Sequence, residues 1–201
     1  MNYNGPKVKL SRKLGFALAP KSAKYMERAP YPPGQHGASK KRQKQSDYGK
    51  QLLEKQRLRL QYNIHERQMT NYVAEATRLV GNTGEILVQL LESRLDALVY
   101  RSGLARSMYA ARQYVRHKHI LVNGKPVDIP SYSVQVNDVI SVRDKSKKME
   151  CFHDAIRSTA AAPAYLEVAK ADLTVKYLYL PPREEIPAIC ELPLVVEFYS
   201  R

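Results

Sequence analysis

Apolar residues recur at helical spacing through the middle of the 201-residue chain. From Ser46 or Asp47, the stretch SDYGKQLLEKQRLRLQYN sets Leu53 and Leu60 two turns apart with Leu52 beside them. Gln51, Lys55, Arg59 and Tyr62 make a separate, polar face. A second helix from about His65 carries Met69, Tyr72, Val73, Ala76, Leu79 and Val80 as its core stripe. Gly81-Asn82-Thr83-Gly84-Glu85 breaks that pattern and restarts it, with Asn82 as cap and Glu85 at the third helical position. Ile86, Leu87, Leu90 and Leu91 make a third helix. Ser93 and Asp96 then form a capping-box pattern that opens a short helix with Leu95, Leu98 and Val99 on one face. Gly103 ends it. Ser107 caps another, striped by Met108, Ala111 and Val115.

Alternation replaces helical spacing beyond residue 118. His119–Val122 reads as a strand, and Asn123-Gly124 suits a type I′ turn because both residues tolerate positive φ. Lys125–Val127 returns as an edge strand, since Pro126 cannot donate to a ladder. Ser133–Val136 and Val139–Val142 flank a turn at Asn137-Asp138. A helix over 149–162 and strands at Tyr165–Val168 and Thr174–Leu180 follow, stopped by Pro181-Pro182. The apolar, Pro-punctuated end EIPAICELPLVVEFYSR packs back on earlier helices. Residues 1–46 show no apolar periodicity and are rich in Pro, Gly and Lys, so they are expected to be extended and to order against a partner. The fold class is α+β. Its expected domains are a basic arm at 1–46, a helical domain at 47–92 joined by 183–201, and an inserted module at 93–182 with short helices on a small antiparallel sheet.

Charge identifies the kind of partner. The formal net charge is +14, which favours a polyanion, nucleic acid before membrane. Residues 1–70 carry 16 Lys and Arg against 4 Asp and Glu, and residues 94–145 carry 9 against 4, whereas the rest is nearly balanced. The arm and the module should therefore both touch the partner. In the arm the candidate contacts are Lys7, Lys9, Arg12, Lys13, Gln35, His36, Lys40, Lys41, Arg42 and Lys44, with Tyr25 and Tyr31 able to stack on bases. The helical domain adds Lys50, Lys55 and Arg59. The module adds Arg94, Arg106, Arg112, Arg116, His117, Lys118 and Lys125, because guanidinium forks on a rigid helix match phosphate oxygens.

Other chemistry finds little support. The two cysteines, Cys151 and Cys190, make no disulfide framework and fit a reduced cytoplasmic setting. Cys151 and His153 form a lone C-x-H pair without a second pair, so no metal is expected. Gly34-Gln35-His36-Gly37 holds a histidine without a spaced acid or nucleophile; its glycines suit a turn or a close backbone approach to RNA. No Walker loop or GxGxxG motif is present, no cofactor is implied, and no apolar run reaches the ~18 residues of a membrane span. An RNA-modifying enzyme and a free RNA chaperone or regulator stand as the competing readings.

The residues Arg94-Leu95-Asp96, Gly103, Ala111-Arg112-Gln113, Val115, His117-Lys118 and Val122-Asn123-Gly124 resemble the small RNA-binding module named after small-subunit ribosomal protein S-four. Residues 7–15 KVKLSRKLG, 33–37 PGQHG, 46–49 SDYG, 65–68 HERQ, 81–85 GNTGE and the closing VVEFYSR occur in the order expected of that ribosomal protein family. The resemblance implies a non-enzymatic primary assembly protein that binds the 5′ domain of small-subunit ribosomal RNA. It also implies neighbours in the small-subunit proteins numbered three and five, a place near the channel through which messenger RNA enters, and a contribution to decoding accuracy. Some members hold zinc on four cysteines in the N-terminal extension. Here the first cysteine is Cys151, so that version is absent.

Overall fold

The structure is a computed structural model that describes residues 3, 5–39, 46–158 and 162–200. In chain order the elements are α1 (Lys7–Leu14), α2 (Pro20–Arg28), α3 (Asp47–Gln61), α4 (Glu66–Arg78), α5 (Thr83–Glu92), α6 (Leu95–Arg101), α7 (Met108–Arg116), β1 (Ile120–Val122), β2 (Lys125–Pro126), β3 (Val139–Val142), α8 (Asp144–Lys147), α9 (Glu150–Ser158), β4 (Leu166–Ala169), β5 (Thr174–Tyr177), a 3₁₀ turn at Arg183–Glu185, and α10 (Leu192–Tyr199). They form two compact units, residues 1–87 with 188–201, and residues 88–187. The division falls inside α5, upstream of the boundary expected at 93.

The first unit is helical, and its leading segment departs from expectation. Residues 1–46 are not extended throughout, because α1 and α2 form within them. Sparse apolar residues suffice because polar groups lock the turns. The Ser11 hydroxyl donates to Lys7 O at 2.9 Å and accepts the Leu18 N–H at 3.1 Å. Gly15 caps α1 at φ 80°, and Leu14, Phe16 and Leu18 are buried behind it. Arg57 on α3 donates from Nε to Leu14 O at 2.9 Å, which ties α1 down.

The predicted faces of α3 hold only in part: Leu60 is buried as expected, but most of the expected polar face is buried with it. Gln51, Lys55 and Tyr62 are buried, whereas Leu52 and Leu53 are only half-buried. The reason is α10, which packs against α3 and covers that face, while the segment leading into it bonds to α3 side chains. The Glu191 N–H donates to Glu54 Oε2 at 3.1 Å, and the Ile189 N–H donates to Gln61 Oε1 at 3.2 Å. Lys55 pairs with Glu66 at 2.9 Å and lies over the Phe198 ring at 4.7 Å. Tyr199 donates its hydroxyl to Glu66 Oε1 at 2.7 Å. The α4 stripe also stops short: Leu79 and Val80 lie beyond the helix and are exposed, because Gly81 at φ 135° turns the chain away. As expected, Ser46 caps α3 by accepting the Gly49 N–H, and Asn82 accepts the Gly84 N–H at the start of α5.

The second unit holds a five-stranded antiparallel sheet in the order β2-β1-β3-β5-β4. Ile120, Val122, Ile140, Val142, Val175 and Tyr177 alternate onto one core with Leu95 and Leu98 of α6, Val115 of α7 and Phe152 of α9. Asn123 and Gly124 take φ 49° and 76° between β1 and β2, as a type I′ turn requires. Asn123 also accepts the Val139 N–H at 2.9 Å and donates to Asp138 at 2.8 Å, which fastens the hairpin tip to β3. The strand expected at Ser133–Val136 does not form. Ser133 makes only an isolated bridge to Arg94, and the backbone just before it caps α6: the Leu95 and Asp96 N–H groups donate to Tyr132 O and Pro130 O at 2.9 and 3.2 Å. The capping box expected at Ser93 is absent for the same reason, and the Ser93 hydroxyl donates to Gln89 O at 2.7 Å. The helix expected over 149–162 is observed as α9; residues 159–161 lie outside the described set.

The contacts of Glu66 make a pH-dependent clasp. Burial pulls its carboxyl upward, but hydrogen bonds from Tyr199 and Lys55, with the charges of Lys55 and Arg59, outweigh this and hold it below the usual carboxylate value. A depressed carboxylate stabilises the fold above its unfolded pKa, ~4.3, and that stabilisation is lost as pH falls through the folded value. Glu66→Gln should therefore lower the thermal midpoint of the full chain at pH 7. Melting curves taken at falling pH should show the gap to wild type close below about pH 4; a constant gap would contradict the assignment.

Candidate nucleic-acid interface

The module's cations are set by α7 and the hairpin beyond it. Ser107 caps α7 by accepting the Ala110 N–H at 3.2 Å, and Met108, Ala111 and Val115 anchor its inner face. The outer face then presents Arg116, while the helix ends in the exposed His117 and Lys118. Lys118 takes φ 61°, and its N–H donates to Val115 O at 2.9 Å, turning the chain into β1. Lys125 is exposed across the tight turn. Arg106 is about half-exposed, and pairs with Asp154 at 3.2 Å. Lys118 approaches Asp128 at 3.6 Å, a solvated pair too weak to withhold the lysine from a phosphate.

Asp96 decides which arginines stay inside. Its carboxylate and the Arg94 guanidinium are each 1% exposed and meet as a fork, Nε to Oδ1 at 2.9 Å and Nη2 to Oδ2 at 2.7 Å. Arg94 is therefore a structural group in this fold, not an exposed contact as expected. Arg112 sits between the two roles. Its Nη1 donates to Asp96 Oδ2 at 3.3 Å, yet it is 24% exposed. Burial lowers its guanidinium pKa, Asp96 opposes that shift, and the positive charges of Arg94 and Arg116 add to it. One carboxylate thus holds an α7 arginine in a fixed pose with one edge open.

Two histidines lie at the entry to β1. The strand starts at Ile120, and the rings of His117 and His119 lie 6.0 Å apart. His119 Nδ1 is 2.9 Å from Ser146 Oγ, and burial, then the charges of His117 and Arg143, lower its pKa. Arg143 was missed in the sequence. It is exposed, and its N–H donates to His119 O at 2.8 Å, because the register pairs Ile120 with Val142. An antiparallel pairing of those two strands was the available signal.

In the first unit the same sorting occurs. Lys9, Lys13, Gln35, His36 and Lys50 are exposed, and Lys7 is half-buried. Arg12 is turned inward: Nε donates to Ala29 O and Tyr31 O at 3.1 Å each, and the guanidinium lies 4.8 Å over the Tyr31 ring. It shapes the loop that leads to Gly34-Gln35-His36-Gly37. That tetrapeptide is a turn, with the Gly37 N–H on Gly34 O at 3.1 Å, and a Cβ on Gly37 would fall 1.9 Å from Pro32 O. Lys55 is buried on Glu66, and Arg59 is tied to Gln56 and Glu66. Lys40, Lys41, Arg42 and Lys44 lie outside the described residues. Among the described residues no cluster of His, Cys, Asp and Glu suits a metal, and no helix is long and apolar enough to cross a membrane.

Two family descriptions match the chain in succession. Residues 2–92 match the family described as "Ribosomal protein S4/S9 N-terminal domain", and residues 93–140 match the "S4 domain". The chain is 51% identical over 199 residues to small ribosomal subunit protein uS4 of Micrococcus luteus, covering 96% of this chain and 95% of that protein. It is 50% identical over 204 residues to the same protein of Streptomyces avermitilis, covering 100% and 99%. The Paenarthrobacter aurescens protein is 52% identical over 197 residues, covering 96% and 95%.

Asp96→Asn should be costly, since it leaves the Arg94 guanidinium buried without its counter-charge. Urea unfolding of the full chain should show a loss of about 3–5 kcal/mol. A change under about 1 kcal/mol, the range of an exposed pair, would show that the fork does not hold the module together.

Proposed function

The chain belongs to the ribosomal protein S4 family, and on that premise we propose that it is a primary binder of the 5′ domain of small-subunit ribosomal RNA, docking at a multi-helix junction. It is a structural protein of the small ribosomal subunit, in the cytoplasm, and not an enzyme. The observation that carries the RNA reading is the run Arg116-His117-Lys118, exposed at the end of a capped helix whose inner face is buried, with Lys125 exposed on β2 and Arg143 just past the end of β3.

Such cations meet phosphates from fixed positions, so folded RNA docks without a large ordering cost to the protein. Recognition then follows RNA shape and 2′-hydroxyls more than base edges. The first unit adds Lys9, Lys13 and the exposed Gln35-His36 turn, held by Arg12. Lys7, Lys50, Arg106 and the open edge of Arg112 belong to the proposed contact set, as do Lys40, Lys41, Arg42 and Lys44. Binding at an early junction supports a role in nucleating assembly. The family resemblance supports neighbours in the small-subunit proteins numbered three and five, a place beside incoming messenger RNA, and an effect on decoding accuracy.

Two measurements test this reading. On a sucrose gradient at moderate salt the protein should sediment with the small subunit at one copy per particle; a protein that stays near the top would contradict it. With roughly ten phosphate contacts, the affinity of the full chain for a 5′-domain transcript should fall with salt at a log–log slope of about −7 to −9. A flat response would overturn multipoint docking.

A further inference from the structure

We propose that the groove between α1 and α3 is a subsite for one unstacked nucleobase of the bound RNA, a proposal that rests on the RNA-binding reading above. The groove has a volume of about 450 Å³, the size of a small-molecule site. Its floor is apolar: Leu10, Leu52 and Leu53 line it and are only half-buried, with Leu60 below them and the Tyr3 ring at one side. Gly49 leaves one wall as bare backbone.

The groove follows from the way α3 is buried. Its polar face lies against α10, so Leu52 and Leu53, which the sequence pattern gives to the core, are left only half-covered. The two charged groups in the lining, Lys13 and Arg59, are both cations, and no carboxylate lines it among the described residues. Lys13 is exposed, and Gln56, whose oxygen accepts from Arg59 Nε at 2.9 Å, offers its amide N–H groups.

That combination selects its occupant. A phosphate alone would match the cations and leave the leucines uncovered. An apolar side chain from a protein would match the leucines and desolvate Lys13 without pairing it, Arg59 being already held by Glu66 and Gln56. A nucleotide has both halves: flat apolar base faces for the leucine floor and the tyrosine, a polar edge for the carboxamide, and a phosphate for Lys13. Bases splayed out of loops and bulges are read in this way on protein surfaces.

The test uses the full chain and a 5′-domain transcript, with wild type, Leu53→Gln, Leu52→Phe and Lys13→Ala. Affinity is measured across salt, and unpaired bases are probed with dimethyl sulfate. Wild type should protect a base that is reactive in the free RNA. Leu53→Gln removes floor without changing charge; it should weaken binding about tenfold, leave the salt slope unchanged and restore reactivity at that base. Leu52→Phe fills the groove and should do the same if Leu53→Gln fails to fold. Lys13→Ala should flatten the slope by about one and keep the base protected. Wild-type affinity and footprint in both leucine variants would overturn the subsite and leave the broader reading standing. Reduced incorporation into the subunit with an unchanged RNA footprint would assign the groove to a protein neighbour and equally overturn it. Absence of RNA binding by wild type would remove both.

Discussion

A carboxylate taken out of water must find cations or give up its charge, and here that requirement sorts the arginines and lysines. In a chain of net charge +14 the acids are the scarce partner. Asp96, Glu92 and Glu54 are buried, and Glu66 is partly covered. Between them they engage Arg94, Arg112, Arg101, Arg57, Lys55 and Arg59. Among the described residues, Lys50, Arg106, Lys118 and Lys147 make exposed pairs, and Arg12 bonds to backbone carbonyls. The fold and the proposed RNA-facing surface are therefore two outcomes of one competition for counter-charge.

Each unit uses this device to hold elements far apart in sequence. In the helical unit Glu54 takes Arg57, which also reaches α1, and the backbone N–H that starts α10. In the module Glu92 takes Arg101 and the Tyr165 hydroxyl, whose pKa is driven upward first by burial and then by that carboxylate. Removing both partners of such a pair and refilling the space can be neutral, but removing one leaves an uncompensated charge. The internal pairs thus bear on stability through their completeness. The exposed pairs, such as Lys50 with Asp47, are weak enough to yield to phosphate.

Local signals were legible in the sequence wherever they depend on neighbours in the chain. The Asn123-Gly124 turn, the Ser46, Asn82 and Ser107 caps and the alternating strands at 120–122 and 139–142 follow from backbone and pleat geometry alone. What the sequence did not reveal depends on long-range partners. The Ser93-Asp96 spacing matches a capping box, but carbonyls at 130 and 132 reach the helix first and free Asp96 for two arginines. Lys55 and Gln51 look solvent-facing until α10 covers them. Arg94 and Arg116 are the same residue type on adjacent short helices, and only the buried carboxylate separates their roles. Residues 7–28 lack a periodic stripe because Ser11, Arg12 and Arg57 supply by hydrogen bonding what apolar packing usually supplies.

The division between internal and RNA-facing cations is open to a direct comparison of Arg12→Ala with Arg116→Ala in the full chain. Each variant is followed by thermal midpoint and by the salt dependence of its affinity for the 5′-domain transcript. The account predicts that Arg116→Ala keeps the midpoint and flattens the slope by about 0.7–0.9, whereas Arg12→Ala lowers the midpoint and leaves the slope alone. Equal slope changes in the two, or a lowered midpoint in Arg116→Ala with no change of slope, would contradict it.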